Sequence, residues 1–177
     1  MTAIAIDTDR LLDELSALRS IGAVSSGVVR PAFSDKDIEA RLWLAERMRA
    51  AGLETVFDPA GNLFGLPPGD ARCLLVGSHS DTQPEGGWLD GAYGVVAGLE
   101  VARASLEGGG PPVAVVSFQD EEGRFGGLVG SSIWSGARSL AEADQFTDAT
   151  GMTFREARRA IASHASAQFL PAERFTG

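Results

Sequence analysis

Two short polar strings hold the residue types that metal-assisted hydrolysis requires. The first is Gly77-Ser78-His79-Ser80-Asp81-Thr82, followed by Gly86-Gly87-Trp88-Leu89-Asp90-Gly91. The second is Gln119-Asp120-Glu121-Glu122-Gly123-Arg124-Phe125-Gly126. In extended chain, residues i and i+2 project to the same side, so His79 and Asp81 face one way. A metal-bound imidazole needs a carboxylate or carbonyl on its second nitrogen to fix the tautomer, and Asp81 is placed to serve. Gly91 lets the backbone come close and turn, so the loop through Pro84–Gly87 returns Asp90 to the place His79 enters. Glu121 and Glu122 are adjacent and, if extended, point in opposite directions. One of them can then hold a metal while the other takes a proton from a metal-bound water. Imidazole and carboxylate together suit zinc, and also manganese or cobalt.

The elements that must position these strings follow from periodicity. Cys73 to Gly77 and Val113 to Phe118 are short apolar runs, expected as strands covered on both faces. A helix from Ala92 to Leu106, broken by Gly108-Gly109-Gly110-Pro111, lies between them. Strand, helix and strand at this spacing make a βαβ unit with a parallel pair. Both polar strings then leave the carboxyl ends of the strands, where open α/β sheets place ligands. A first helix is expected over Asp7 to Ile21, with Leu11, Leu15 and Leu18 at helical spacing. A second starts at Ser34, with Asp37 completing a capping box and Ile38, Leu42, Ala45 and Met48 as its apolar face. Leu53 to Phe57 and Asn62 to Leu66 flank Asp58-Pro59-Ala60-Gly61 as a hairpin. Thr153 and Glu156 open a last helix through another capping box. The fold class is α/β, a layered αβα arrangement on a central, partly parallel sheet, within one domain.

Composition narrows the partners. The 177 residues carry a formal charge of −9 and no basic patch, which speaks against nucleic acid or an anionic membrane. Met1 to Asp9 shows no leader pattern, and no apolar stretch approaches the ~20 residues of a membrane span. A single cysteine, Cys73, fits a reducing compartment, and the cytoplasm is the expected location. The expected partner is a small-molecule substrate.

Other features have plainer readings. Ser78, His79 and Asp81 hold the letters of a serine triad, but strand neighbours face opposite sides, so Ser78 does not reach the imidazole. Gly91, Gly94 and Gly98 do not match the dinucleotide fingerprint and point to close helix packing. Cys73 reads as core, Trp88 and Trp134 as packing, and His164 as a residue of the last helix. Arg155, Arg158 and Arg159 read as that helix's solvated face.

The longer strings carry a resemblance. Gly77 to Gly91, with its His-x-Asp, Gly-Gly and Asp-Gly, resembles the metal-site signature of the M20 metallohydrolases, in their hydantoinase/carbamoylase branch. Phe118 to Gly126, followed by Gly130-Ser131, is similar to the branch's second motif, and Asp58 to Leu63 to its Asp-x-x-Gly-Asn stretch. The likeness runs from about Arg30 to Trp134. It implies two divalent metal ions (zinc, manganese or cobalt), with His79 on one, Asp90 bridging and Glu122 on the second. Glu121 would be the general base and Asp81 would orient His79. The implied reaction is attack of a metal-bridging hydroxide on a carbamoyl or ureido carbonyl of an N-carbamoyl amino acid or allantoate-like substrate. An M20 peptidase or deacylase acting on a dipeptide or acyl-amino acid is the alternative. Family members are longer, with an inserted domain for dimerisation and substrate closure and two further histidine ligands, one in a Glu-Leu-His-Ile-Glu-Gln-like segment absent here. Residues 1–177 therefore correspond to the N-terminal portion of a dinuclear-metal hydrolase's catalytic domain. A truncated, non-catalytic chain or one subunit of a split enzyme fits too, with a homodimer or a complementing chain as the implied assembly.

Overall fold

A computed structural model describes residues 4–176; residues 1–3, part of the stretch read above for a leader, and residue 177 lie outside the described residues. Helix α1 spans Thr8–Ser20 and is capped by Asp7, which accepts from the Arg10 N–H at 3.0 Å. Two-residue strands β1 (Ala23–Val24) and β2 (Gly27–Val28) form a small ribbon that the sequence reading did not anticipate. Helix α2 spans Asp35–Ala50, and Ser34 caps it by accepting from the Asp37 N–H at 3.2 Å.

The expected capping box is not closed at α2. Asp37 instead accepts from the Phe33 N–H at 2.7 Å and from Arg41 Nε at 3.0 Å. The buried face of α2 is correspondingly rotated from the expected one. It comprises Asp37, Ala40, Arg41, Leu44, Ala45 and Met48, while Ile38 and Leu42 are only half-buried. A polar pair displaces the apolar stripe because the first two turns meet the end of the sheet, where backbone carbonyls need donors.

The main sheet contains β3 (Glu54–Phe57), β4 (Leu63–Leu66), β5 (Cys73–His79), β6 (Val113–Phe118) and β7 (Phe175–Thr176), in the order β3-β4-β6-β5-β7. Strands β3 and β4 make the expected antiparallel hairpin. Helix α3 (Ala92–Gly108) connects β5 to β6, which pair in parallel from Leu74↔Val113 to His79↔Phe118. The α/β class and the partly parallel sheet are as expected. Strand β6 alternates between two cores. Val113 and Val115 join Leu44, Met48, Val95 and Leu99 on the helix side, while Ala114 and Val116 join Phe64, Cys73 and Phe175 on the other. Cys73 is core, as expected. Gly94 and Gly98 let α3 lie against β5; a Cβ on Gly94 would stand 2.8 Å from that of Ser78.

Strand β5 departs from the expectation of full cover. Leu74 is 43% exposed, because β5 lies near the sheet edge and β7 pairs with it only at Cys73 and Leu74. Beyond β6 come three short helices: α4 (Val129–Trp134), α5 (Leu140–Ala143) and α6 (Phe154–Ala157). Thr153 and Glu156 do form a complete capping box, yet α6 gives way to a 3-10 turn at Arg158–Ile161. His164 therefore lies past the helix and is exposed. Arg155 and Arg158 are not simply solvated, since both contact Asp144, at 3.2 and 2.7 Å. Among the described residues, no helix is long and apolar enough to cross a membrane.

Phe64 is fully buried between the rings of Phe118, Trp134 and Phe175, at centroid distances of 6.3, 6.1 and 6.0 Å. Phe64→Ala is expected to lower unfolding stability by about 3–5 kcal/mol. Urea denaturation followed by fluorescence measures this, and a loss under ~1 kcal/mol would show that this aromatic cluster does not hold the second face.

Candidate active site

The parallel register of β5 and β6 sets His79 beside Phe118, so the two polar strings leave the same end of the sheet as neighbours. His79, the last residue of β5, is buried. Its Nδ1 lies 3.0 Å from the backbone carbonyl oxygen of Asp81 and 3.7 Å from that residue's carboxylate. A carbonyl only accepts, so Nδ1 donates, and in the neutral tautomer that this selects, the lone pair is on Nε2. Asp81 thus meets the ring through its main chain. The side chain of Asp81 is buried: Oδ2 accepts from the Glu122 N–H at 3.2 Å, and Oδ1 has no hydrogen-bond partner among the described residues, with Arg41 Nη2 3.8 Å away.

Nε2 of His79 faces Glu121 Oε2 at 3.4 Å. Gly91 closes over the same ring, with φ +63, and a Cβ there would overlap the imidazole. The Asp90-Gly91 turn is thereby brought to His79, as its spacing led one to expect, and Asp90 itself is exposed. Glu122 turns elsewhere. Gln83 Nε2 donates to its carbonyl at 2.5 Å and to its carboxylate at 3.1 Å. Gln83 went unnoticed in the sequence because an amide after Thr82 carries no spacing signal.

The donor set can be tested for a metal. In that tautomer Nε2 and the Glu121 oxygen are both electron-pair donors, so a cation could bind between them. Zinc bonds of about 2.0–2.2 Å in tetrahedral geometry separate two donors by roughly 3.3–3.5 Å, which matches this pair. Among the described residues, however, no group of three or more His, Cys, Asp and Glu stands close enough to hold an ion. The separation leaves room for one ion between His79 and Glu121, but among the described residues Asp90 and Glu122, the other expected ligands, do not converge on it.

Carboxyl groups around this pair hold their protons unusually well. Burial, and after it the charge of Asp37, pushes Asp81 up to about 6. Burial, and after it the charge of Asp81, pushes Asp120 up to about 7. Asp120 sits at φ +53 and accepts from the Phe125 N–H at 3.1 Å. Beside Asp81 and Glu122 opens a cavity of about 830 Å³. Pro31, Phe33, Pro84, Met152 and Ala157 give it apolar walls. Arg124, its one cationic lining residue among the described residues, is occupied by Asp148 at 2.8 Å and by the Ala32 carbonyl at 2.6 Å.

Residues 62–163 match the family model described as peptidase family M28, which is more than half of the chain. The M20 family, whose motifs the strings resemble, is not the one that this model names. An N-carbamoyl-L-amino acid amidohydrolase of Geobacillus stearothermophilus is 40% identical over 164 residues, covering 87% of this chain and 40% of that protein. An allantoate amidohydrolase of Bacillus subtilis is 34% identical, covering 83% of this chain and 38% of that protein. The crystal structure of an amidase of the hydantoinase/carbamoylase family from Burkholderia phymatum superposes with a TM-score of 0.90 at 42% identity, covering 97% of this chain and 43% of that one. The chain thus spans about 40% of the length of the curated relatives that it matches.

The raised Asp120 carboxyl has a consequence for stability. A folded-state value of about 7 against an ordinary 3.8 means the folded chain holds this proton more tightly than the unfolded chain. The stabilisation is complete below about pH 4 and is lost as pH rises through 7. Asp120→Asn keeps an acceptor for Phe125 but cannot ionise. Its stability relative to the parent chain is expected to rise between pH 4 and 8 by up to a few kcal/mol, at ~1.4 per pKa unit. Urea unfolding of the metal-free chains at stepped pH reads this; parallel curves would show that Asp120 is not held protonated.

Proposed function

The chain belongs to peptidase family M28, and on that footing we propose that it carries part of the active site of a metal-dependent amidohydrolase. The substrate class is a small N-carbamoyl amino acid or a ureido compound related to allantoate, and the bond broken is a carbamoyl or ureido C–N bond. The observation that carries this reading is the His79 ring, with Nδ1 spent on the Asp81 carbonyl and Nε2 facing Glu121 at 3.4 Å. Likeness to carbamoyl and allantoate amidohydrolases supports the substrate class, and likeness to a hydantoinase/carbamoylase family amidase supports that branch as the finer placement. Residues 1–177 would be the N-terminal portion of the catalytic domain, as the order of the motifs suggests; the 40% coverage of the relatives supports only that it is a part.

By their likeness to the metal-site motifs, His79, Asp90 and Glu122 would hold two divalent ions (zinc, manganese or cobalt), and Glu121, which faces Nε2 at 3.4 Å, would act beside them as the base and not as a ligand. Such an ion, when bound, supplies the positive charge that polarises a scissile carbonyl. The chain's own residues do the rest. Asp81 orients the imidazole through its carbonyl, which accepts from Nδ1 and turns Nε2 toward the site. Glu121, half-buried at the mouth of the site, is the group placed to take a proton from an attacking water and return it to the leaving nitrogen. Gln83 holds Glu122 through two hydrogen bonds and keeps it apart from Glu121. The apolar-walled cavity beside Asp81 and Glu122 has room for a small substrate. The remaining donors would come from outside this chain's described residues, whether from a longer chain, a complementing chain or a second copy.

The peptidase name of the matching family favours a second reading, hydrolysis of a dipeptide or acyl-amino acid by the same groups. Two measurements bear on these readings. The purified chain, loaded with zinc, manganese or cobalt and desalted, is expected to retain metal by mass spectrometry, and His79→Ala is expected to reduce this to background. A parent chain that retains none would refute the metal site. Ammonia release from an N-carbamoyl amino acid, compared with amino-acid release from a dipeptide, then separates the substrates, and turnover of the dipeptide alone would favour the peptidase.

A further inference from the structure

One buried amide touches both ends of the segment that carries Glu121 and Glu122. Asn62 is fully buried just before β4. Its Oδ1 accepts from the Gln119 N–H at 2.8 Å, and its Nδ2 donates to the Gly130 carbonyl at 3.0 Å. The amide's orientation is not free to invert. Its Nδ2 also donates to Asp58 Oδ2 at 2.8 Å, and a flipped amide would aim an oxygen at two acceptors and a donor at a donor. Asp58 is itself pinned, accepting from the N–H groups of Ala60 and Asn62 at 2.9 and 3.0 Å.

Between the two contacts the segment closes on itself. Leu128 donates to the Glu121 carbonyl at 3.1 Å, Val129 to that of Asp120 at 3.2 Å and Gly130 to that of Gln119 at 2.8 Å. Gly130 lies so near that a Cβ there would overlap Asn62 Oδ1 and come within 2.6 Å of the Gln119 N and O atoms. Asn62 therefore sits at the base of a small closed loop with Glu121 and Glu122 on its near limb.

We propose that Asn62, held by Asp58, is a positioning residue: its amide staples Gln119 to Gly130 and so fixes where the loop presents Glu121 and Glu122. Its catalytic meaning rests on the reading of those two carboxylates given above; the staple itself does not.

The test is hydrogen–deuterium exchange by mass spectrometry on the 177-residue chain and its Asn62→Asp and Asn62→Leu variants. Both variants are expected to exchange the amides of 119–130 about tenfold or more faster, with α2 and α3 changed less than twofold. In Asn62→Asp, protection corrected for intrinsic rates should return as pH is lowered, because a protonated carboxyl regains a donor; in Asn62→Leu it should not. Should both variants fail to fold, Gly130→Ala is expected to loosen the same amides by displacing the staple. Parent-like protection of 119–130, equal loosening throughout, or identical pH behaviour of the two variants would overturn the staple. Metal retention on the same samples decides its purpose. Loss in both loosened variants supports positioning, and unchanged retention with a loosened loop overturns it. Absence of metal from the parent chain refutes the reading of the carboxylates and leaves the exchange result to judge the staple.

Discussion

A guanidinium that cannot reach water must place its charge and its five donors on protein atoms, and Arg41 is fully buried. It pairs with Asp37, one turn earlier on α2, at 3.0 Å. It also donates to the carbonyls of Gly61 at 3.3 Å, Ser117 at 3.1 Å and Phe118 at 2.8 Å. The second oxygen of Asp37 accepts from Gln119 Nε2 at 2.9 Å. Few mutual arrangements of α2, the β3–β4 turn and the end of β6 satisfy all of these at once. A buried ion pair of this kind contributes little net stability, because desolvation offsets its attraction. Its effect is on specificity: any displacement of α2 would strand a charge inside the protein, at a cost of several kcal/mol. The end of the sheet from which both polar strings emerge is set by this constraint.

The same pair shows where sequence reading stops. Asp37 and Arg41 stand i, i+4 on a helix, the usual pattern of a solvent-exposed pair, so nothing in their spacing announces burial. The apolar stripe of α2 was accordingly drawn through Ile38 and Leu42, and the structure turns Asp37 and Arg41 inward beside Leu44, Ala45 and Met48. The βαβ unit was legible because it depends on local signals alone: two apolar runs, a helical period and a glycine stop. The hairpin and the capping residues Ser34 and Thr153 were legible for the same reason. The pairing of β7 with β5 was not, since it joins Phe175 to Cys73 across a hundred residues and two hydrogen-bonded positions leave no pattern. Leu74 is exposed for the same cause, as full cover of β5 would need more of a strand than β7 gives among the described residues.

At the site, residue types were legible and atoms were not. Spacing brought His79, Asp81 and the Asp90-Gly91 turn together, and Gly91 is found against the imidazole. Spacing cannot say which oxygen of Asp81 meets Nδ1. The carbonyl does, because strand β5 ends at His79 and the chain turns back over the ring, leaving the carboxylate to the Glu122 N–H. Adjacent glutamates are expected to diverge in extended chain, but their assignment depends on what each meets. Glu121 meets His79, and Glu122 meets Gln83, a partner 39 positions earlier that no local rule could supply.

The span matched by the family model begins at Asn62. Three residues on which the site's placement rests, Asp37, Arg41 and Asp58, lie before it. Without them the Ser117 and Phe118 carbonyls lose their guanidinium, the Asn62 amide loses its carboxylate, and Gln119 loses its side-chain acceptor. Each buried group left without a partner costs about 1–3 kcal/mol, and several together rival the 5–15 kcal/mol that holds a whole domain folded. A recurring motif span is therefore not the physical unit that makes this site. That unit starts no later than α2, because the polar strings at the ends of β5 and β6 take their positions from donors and acceptors that α2 and the β3–β4 turn provide.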